Sequence, residues 1–247
     1  MGTVRENGLI IKQKDYGNGN IQMSIFTENY GILHATNFNA KRQKNKFAAS
    51  SQFLSFGEFE LYFTNRDYVN INSFDIAEAF LPAAEDIVKL SLCTYLSDIT
   101  YAMLGENNPD NRILRTLLKI FYAIAYRDEP LEKIKAVYEL RLMTLCGYMP
   151  NLARCGCGGD KLEMFDLDKG SMGCKKCCGY NSVRMTPGLY KAMIYIINSE
   201  DKKVLAFTGN DLLLEELGIV AEKYLLTHID RKIPSLEYYK NIKNIYT

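Results

Sequence analysis

The chain has no run of about 18 uncharged apolar residues, the length a membrane-spanning helix needs. Its opening stretch, MGTVRENGLIIKQKDYG, carries charges at Arg5, Glu6, Lys12 and Lys14 and lacks the long apolar core of a secretory signal. No membrane association is expected, and the expected location is the cytoplasm. The chain also lacks an excess of either charge. Thirty Lys and Arg stand against 29 Asp and Glu, for a formal net charge of +1. Bulk charge therefore says nothing in favour of a polyanionic partner, and any such partner must be argued from where the cations lie. Histidine is scarce, with only His34 and His228, far apart in sequence. Each reads as an ordinary residue. The G-x-x-x-x-G-K-[ST], G-x-S-x-G and H-E-x-x-H patterns are absent, as are internal repeats and low-complexity tracts. With no carboxylate cluster and no His-bearing zinc pattern, an enzyme is not expected.

What is present is ordinary globular material, 47% hydrophobic and 24% charged over 247 residues, enough for two domains or one large one. The first eighty residues alternate with period two. Ile21, Met23 and Ile25 are interleaved with Gln22 and Ser24, and Phe59, Leu61 and Phe63 with Glu60 and Tyr62. Short alternating runs of this kind predict half-buried strands. Asn/Gly/Asp turns divide them into five strands, near Gly8–Lys14, Ile21–Thr27, Ile32–Phe38, Phe56–Phe63 and Tyr68–Ser73. Five strands with hairpin turns over residues 1–80 predict a small closed barrel. An OB-fold is the natural form, with an SH3-like barrel as the alternative.

After Pro82 the period lengthens. Val88, Leu92, Leu96, Ile99 and Met103 form one helical stripe. Ile113, Leu117, Ile120, Phe121 and Ile124 form a second, and Leu131, Ile134, Tyr138, Leu142 and Leu145 a third. Pro109 and Pro130 suit first turns, and Gly147 suits a C-terminal cap. Two further helices are expected near Gly188–Asn198, opened by Thr186-Pro187, and near Asp211–Thr227. The fold class is thus α+β, with a barrel over 1–80, a helical domain over 81–247 and a cysteine-bearing insert over 151–185.

That insert holds five of the seven cysteines, Cys155, Cys157, Cys174, Cys177 and Cys178. Without an export signal they do not suggest a disulfide framework. Cys93 and Cys146 fall in helical patterns and read as small apolar residues. Two close cysteine pairs flanking sixteen residues suit a tetrahedral thiolate site for Zn2+, structural because an all-cysteine shell leaves no open position for water. Cys155, Cys157, Cys174 and Cys177 are the expected ligands, with Cys178 able to replace Cys177. Lys175 and Lys176 would offset the surplus negative charge of four thiolates on one divalent ion. Clustered free thiols are the bland alternative.

Between the third and fourth strands, Lys41, Arg42, Lys44 and Lys46 place four cations in six residues, flanked by Phe38 and Phe47. On a small barrel such a loop can meet a phosphate backbone while aromatics stack on unpaired bases. A solvated charged loop is the plainer alternative.

Taken in order, these pieces resemble the bacterial recombination-mediator family RecO. The likeness runs through Tyr16-Gly17, Phe26-Thr27 with Gly31-Ile32-Leu33, the basic run Lys41–Lys46, and Gln52-Phe53 with Glu58–Tyr62. It continues through Glu139-Leu140-Arg141-Leu142, Gly147-Tyr148-Met149-Pro150, the cysteine segment, and a closing helix at Ile233-Pro234-Ser235-Leu236-Glu237. The first cysteine pair is one residue shorter than the family's usual C-x-x-C-G, and Cys178 is additional. The resemblance implies an OB-fold, a helical domain and an inserted zinc finger or ribbon. It also implies binding of single- and double-stranded DNA through Lys41, Arg42, Lys44 and Lys46, annealing of complementary strands, partnership with RecR, and a nucleoid-associated location. Recognition of the acidic C-terminal tail of single-stranded-DNA-binding protein and a functional link to RecA loading are implied as well. Arg112, Arg115 and Lys119 are candidates for meeting that tail's carboxylate. A zinc-stabilised adaptor that binds only proteins is the competing expectation.

Overall fold

The structure is a computed structural model that describes residues 2–17, 19–38, 53–64, 69–153, 155, 157 and 162–246. By compactness the chain divides into two units, Met1–Arg127 together with Ile233–Thr247, and Asp128–Lys232.

The first unit is built on a closed barrel of β1 (Gly2–Tyr16), β2 (Asn20–Thr27), β3 (Gly31–Asn37), β4 (Phe56–Phe63) and β5 (Val69–Glu78), in the spatial order β1-β2-β3-β5-β4. β1 is long enough to serve two neighbours. Its first half pairs with β4 and its second half with β2, and the register shifts between Ile10 and Lys12. The bulge lets one strand bend around the barrel. Closure comes from a short parallel pairing of β3 with β5 through Ala35↔Val69 and Thr36↔Asn70. This order, with β1 shared and β3 meeting β5 in parallel, is the OB arrangement and not the SH3-like one. Alternate residues point inward, and Ile10, Met23, Ile25, Leu33, Phe59 and Leu61 fill the barrel. β4 keeps its expected bounds, while β1 and β5 run well beyond theirs, because each continues past its alternating core in its pairing with β4.

Among the described residues, four helices join the barrel in this unit: α1 (Leu81–Ala84), α2 (Ile87–Leu104), α3 (Asn111–Tyr126) and α7 (Pro234–Tyr246). Asp86 caps α2 by accepting the N–H groups of Val88 and Lys89, and Asp110 caps α3 by accepting those of Arg112 and Ile113. Pro109 thus lies just ahead of the cap of α3, and Pro130 takes the cap position of α4 (Leu131–Leu145). α2 is long and apolar enough to cross a membrane, but Leu92, Cys93, Tyr95, Leu96 and Ile99 along it are buried where it packs on α3 and α7. It reads as a core helix. Burial pushes the Cys93 thiol far up, in keeping with an inert apolar role.

The second unit packs α4, α5 (Pro187–Asn198) and α6 (Asp211–His228) against one another, with the cysteine segment between α4 and α5 in sequence. Thr186 caps α5 and Pro187 begins it, while Gly147 follows α4 at φ 92°. The cysteine segment folds into a three-stranded sheet, β6 (Met164–Asp166), β7 (Ser171–Gly173) and β8 (Ser182–Arg184), in the order β7-β6-β8. Strands this short carry no legible alternation, and the sequence did not foretell them.

Candidate functional site

The Sγ atoms of Cys155, Cys157, Cys174 and Cys177 all lie within 4.8 Å of one another. Cys155 and Cys157 are 3.3 Å apart and Cys157 and Cys174 4.0 Å apart. Four sulfurs bound tetrahedrally to zinc at about 2.3 Å would stand about 3.8 Å from each other. The cluster is compatible with a metal site. Cys178, weighed as a substitute for Cys177, lies outside it and directs its thiol to the Met164 carbonyl at 3.8 Å.

Local folding explains the convergence. The N–H groups of Cys177 and Cys178 both donate to the Cys174 carbonyl, at 3.0 and 3.1 Å, which turns the chain so that Cys174 and Cys177 face one point. The Cys174 N–H donates to Cys155 Sγ at 3.3 Å. Backbone donors from Cys157 and Cys174 bring the Cys155 thiol down to about 6, and the Cys174 thiol is also lowered, first by the Lys176 N–H. Cys177 moves the other way, to about 12, because its thiol is shared among the sulfurs of Cys157, Cys174 and Cys155. Sulfurs this close repel once ionised, and a bound cation is what lets all four be thiolates together. β7 passes beside them at Gly173, where a Cβ would stand 2.8 Å from Cys178 Sγ. A side chain there would press on the Cys178 thiol and come against Cys155 Sγ at 3.7 Å.

The rest of the segment is held onto the helices of its own unit. Asp166 is buried and accepts the N–H groups of Lys169 at 3.1 Å and Gly179 at 2.8 Å. Lys169 pairs with it at 3.3 Å and also donates to the Cys177 carbonyl at 3.0 Å, tying the second cysteine turn to β6. On α6, Tyr224 packs edge-on against Phe165 and donates to the Tyr148 carbonyl at 2.9 Å. Tyr190 on α5 donates to the Leu152 carbonyl at 3.1 Å.

The expected DNA-contacting residues Lys41, Arg42, Lys44 and Lys46 lie outside the described residues. The barrel strands that flank them are described. The chain leaves β3 at Asn37 and re-enters at Leu54, a buried residue at φ 75°, whose N–H donates to the Ile10 carbonyl at 3.1 Å. A non-glycine residue in that conformation is a strained point, and strain of this kind gathers at functional loops.

The barrel also carries a groove of about 510 Å³ lined by Lys12, Lys14, Gln22, Ser24, His34 and Tyr101. His34, read from sequence as ordinary, is held on both sides. Its Nδ1 is 3.1 Å from Ser24 Oγ, and its Nε2 is 3.0 Å from Glu106, which also accepts the Tyr101 hydroxyl at 2.8 Å. Those donors hold the Glu106 carboxyl below its ordinary value. No local signal could have joined His34 to residues about seventy positions away.

The model for the recombination protein O C-terminal region matches residues 84–237, and that for its N-terminal region matches residues 1–80. The chain belongs to the RecO family. A RecO relative from Acetivibrio thermocellus, named DNA repair protein RecO, is 28% identical over 250 residues, covering 99% of each chain. Another so named, from Alkaliphilus metalliredigens, is 27% identical over 97% of this chain and 99% of its own. A third, from Clostridium perfringens, is 25% identical over 98% of this chain and 100% of its own. The RecO family relation therefore spans the barrel, the helices and the cysteine segment alike.

Proposed function

We propose that this chain is a DNA repair and recombination mediator that works by binding rather than by covalent chemistry. The observation that carries the reading is family membership over both halves, joined to an OB barrel whose β3–β4 connection contains four cations in six residues. Lys41, Arg42, Lys44 and Lys46 neutralise phosphates on single- and double-stranded DNA. Lowering the repulsion between two strands in this way favours annealing of complements. If all four cations meet phosphates, the log of the binding constant for a single strand falls with the log of salt at a slope of about −3.

Cys155, Cys157, Cys174 and Cys177 hold Zn2+ in a closed structural shell. Such an ion contributes on the order of 10 kcal/mol of folding free energy, enough to order a short three-stranded sheet with few apolar residues of its own. The reading extends to work in the cytoplasm, at the nucleoid, with RecR, with the acidic tail of single-stranded-DNA-binding protein, and toward loading of RecA. These partners follow from the family likeness.

The test is fluorescence anisotropy with labelled single-stranded DNA across a salt series, with zinc assayed on the same sample. We expect salt-dependent binding and one zinc per chain. Replacing Lys41, Arg42, Lys44 and Lys46 together with glutamine should weaken binding and flatten the slope. An unchanged slope would remove the loop from the interface, and a chain indifferent to oligonucleotides at low salt would leave only the protein-adaptor reading.

A further inference from the structure

The outer face of β1, β2 and β3 carries two polar rows. Register sets Lys12 opposite Ser24 and Ser24 opposite His34, and it sets Lys14 opposite Gln22 and Gln22 opposite Thr36. The alternate positions Met23, Ile25, Leu33 and Ala35 fill the barrel, so both rows point away from its core. Asp15 pairs with Ile21 and belongs to the other face. The groove of about 510 Å³ lies over these rows, with Tyr101 of α2 lining it as well. Asp98, also on α2, pairs with Lys12 at 3.7 Å, and Glu106, in the connection after α2, stands 3.0 Å from His34 Nε2. Among the described residues, the charged groups that line or border the groove are thus Lys12 and Lys14 against Asp98 and Glu106, two of each sign. A proton on His34 tips that balance to positive.

The hydrogen bonds of His34 show what such a proton would do. The Tyr101 hydroxyl and His34 hold the Glu106 carboxyl below its ordinary value, so it is a carboxylate at neutral pH. A carboxylate only accepts, and His34 Nε2 therefore carries a proton toward it. In the neutral ring Nδ1 then accepts, and the Ser24 hydroxyl, 3.1 Å away, donates to it. A second proton on the ring reverses that bond. Nδ1 donates, Ser24 Oγ accepts, and the Ser24 hydroxyl proton is released toward the groove.

We propose that this groove seats a phosphate of a nucleic-acid strand on Lys12, Lys14 and Ser24, and that His34 takes up a proton as the phosphate arrives, so that binding tightens as pH falls. The face made by the second and third strands is where OB barrels take oligonucleotides, and the row of donors suits an anion. The sign follows from linkage. A bound anion favours the charged imidazole, so the complex holds more protons than the free protein, and affinity rises toward acid until the free protein is protonated too. Histidine is the side chain whose ordinary charge change falls between pH 5 and 8. The proposal rests on the DNA-binding reading above and adds a pH control to it.

The probe is a labelled oligothymidine of about 15 nucleotides, since neither thymine nor a phosphodiester titrates between pH 6 and 8. The whole chain is used, at constant ionic strength. The parent should bind about three- to tenfold tighter at pH 6 than at pH 8, within the tenfold per pH unit that one proton allows. His34→Gln, with its fold checked by circular dichroism, should lose this gain, and His228→Gln should keep it. Lys14→Gln should weaken binding at both pH values and lower the salt slope by about 0.7. In the unsubstituted chain, the His34 ring signals, assigned by comparison with His228→Gln, should titrate at higher pH with oligothymidine bound than without it. A flat response between pH 8 and 6, an equal gain in His34→Gln, or a ring titration unmoved by oligothymidine overturns the proposal, while salt-dependent binding keeps the DNA reading. Unchanged affinity and slope in Lys14→Gln removes the phosphate from the groove and overturns it too. If the gain appears for a labelled hexaglutamate and not for oligothymidine, the groove serves an acidic protein partner and the proposal fails. If the parent binds oligothymidine at neither pH in low salt, the DNA-binding reading fails and this one with it.

Discussion

Single residues around the cysteine segment show how closely it is fitted to its unit. Gly170 lies at φ 59°, and a Cβ there would fall on the Tyr224 hydroxyl. Gly170→Ala combines a left-handed backbone penalty with displacement of a buried tyrosine whose phenol burial has already raised to about 12. It should lower stability by roughly 1–3 kcal/mol, read as a lower urea midpoint. Asp166 offers a pH test. Burial alone would raise its carboxyl, but the N–H groups of Gly179 and Lys169 and the Lys169 ammonium overcome this and hold it below the ordinary value. A lowered folded value means the carboxylate contributes stability above the unfolded value of about 3.9, and that contribution is lost as pH falls through the folded value. Urea midpoints followed from pH 7 down to about 3 should therefore fall in the acid limb, and Asp166→Asn should start lower and fall less. Equal acid limbs in the two proteins would show that Asp166 does not carry the effect.

Elements meet through buried charge as well as apolar surface. Between α4 and α6, Lys135 bonds Glu139 and Glu222, each at 2.8 Å, with Lys135 and Glu139 buried. Burial opposes the ammonium, yet the two carboxylates outweigh it and raise the Lys135 value. Lys135→Met leaves Glu139 buried without its cation and should cost about 3–5 kcal/mol by chemical denaturation. Adding Glu139→Leu and Glu222→Gln removes the stranded charge and should restore most of the loss. Recovery of none of it would show that packing, and not charge, sets the cost. The same elements show what was legible beforehand. The stripe of α3 could be read because one face of that helix is buried, and 3.6-residue spacing records that face, whereas α4 is buried on every side over residues 133–140 and its stripe marks only the apolar part of that burial. β2 and β4 were readable for the matching reason at period two. The strands β6 to β8 were not, because three residues hold too little alternation and the cysteines set their form. Of the site, the four clustered sulfurs were foreseen from spacing, and the structure separates Cys177 from Cys178, which spacing left open. The hold on His34 by Glu106 and Tyr101 was not readable, since tertiary folding alone brings those residues together.

For the molecule as a whole, removal of metal should separate its parts. A strong chelator is expected to disorder residues 151–185, so that limited proteolysis cuts there while the barrel strands keep their circular dichroism. Loss of the barrel signal together with the segment would show that the metal supports more than its own unit. Pattern and compactness also draw different lines. Helical periodicity begins after Pro82, whereas packing keeps α1, α2 and α3 with the barrel and returns α7 to it from the far end of the chain. Periodicity reports local burial and is blind to which distant helix supplies the cover. That return has a consequence during synthesis. The barrel emerges from the ribosome first, but α2 awaits a helix translated more than a hundred residues later. Until residues 234–246 clear the exit tunnel, the nascent chain displays the side of α2 that α7 will cover, so this unit stays open while the whole of the second is being made.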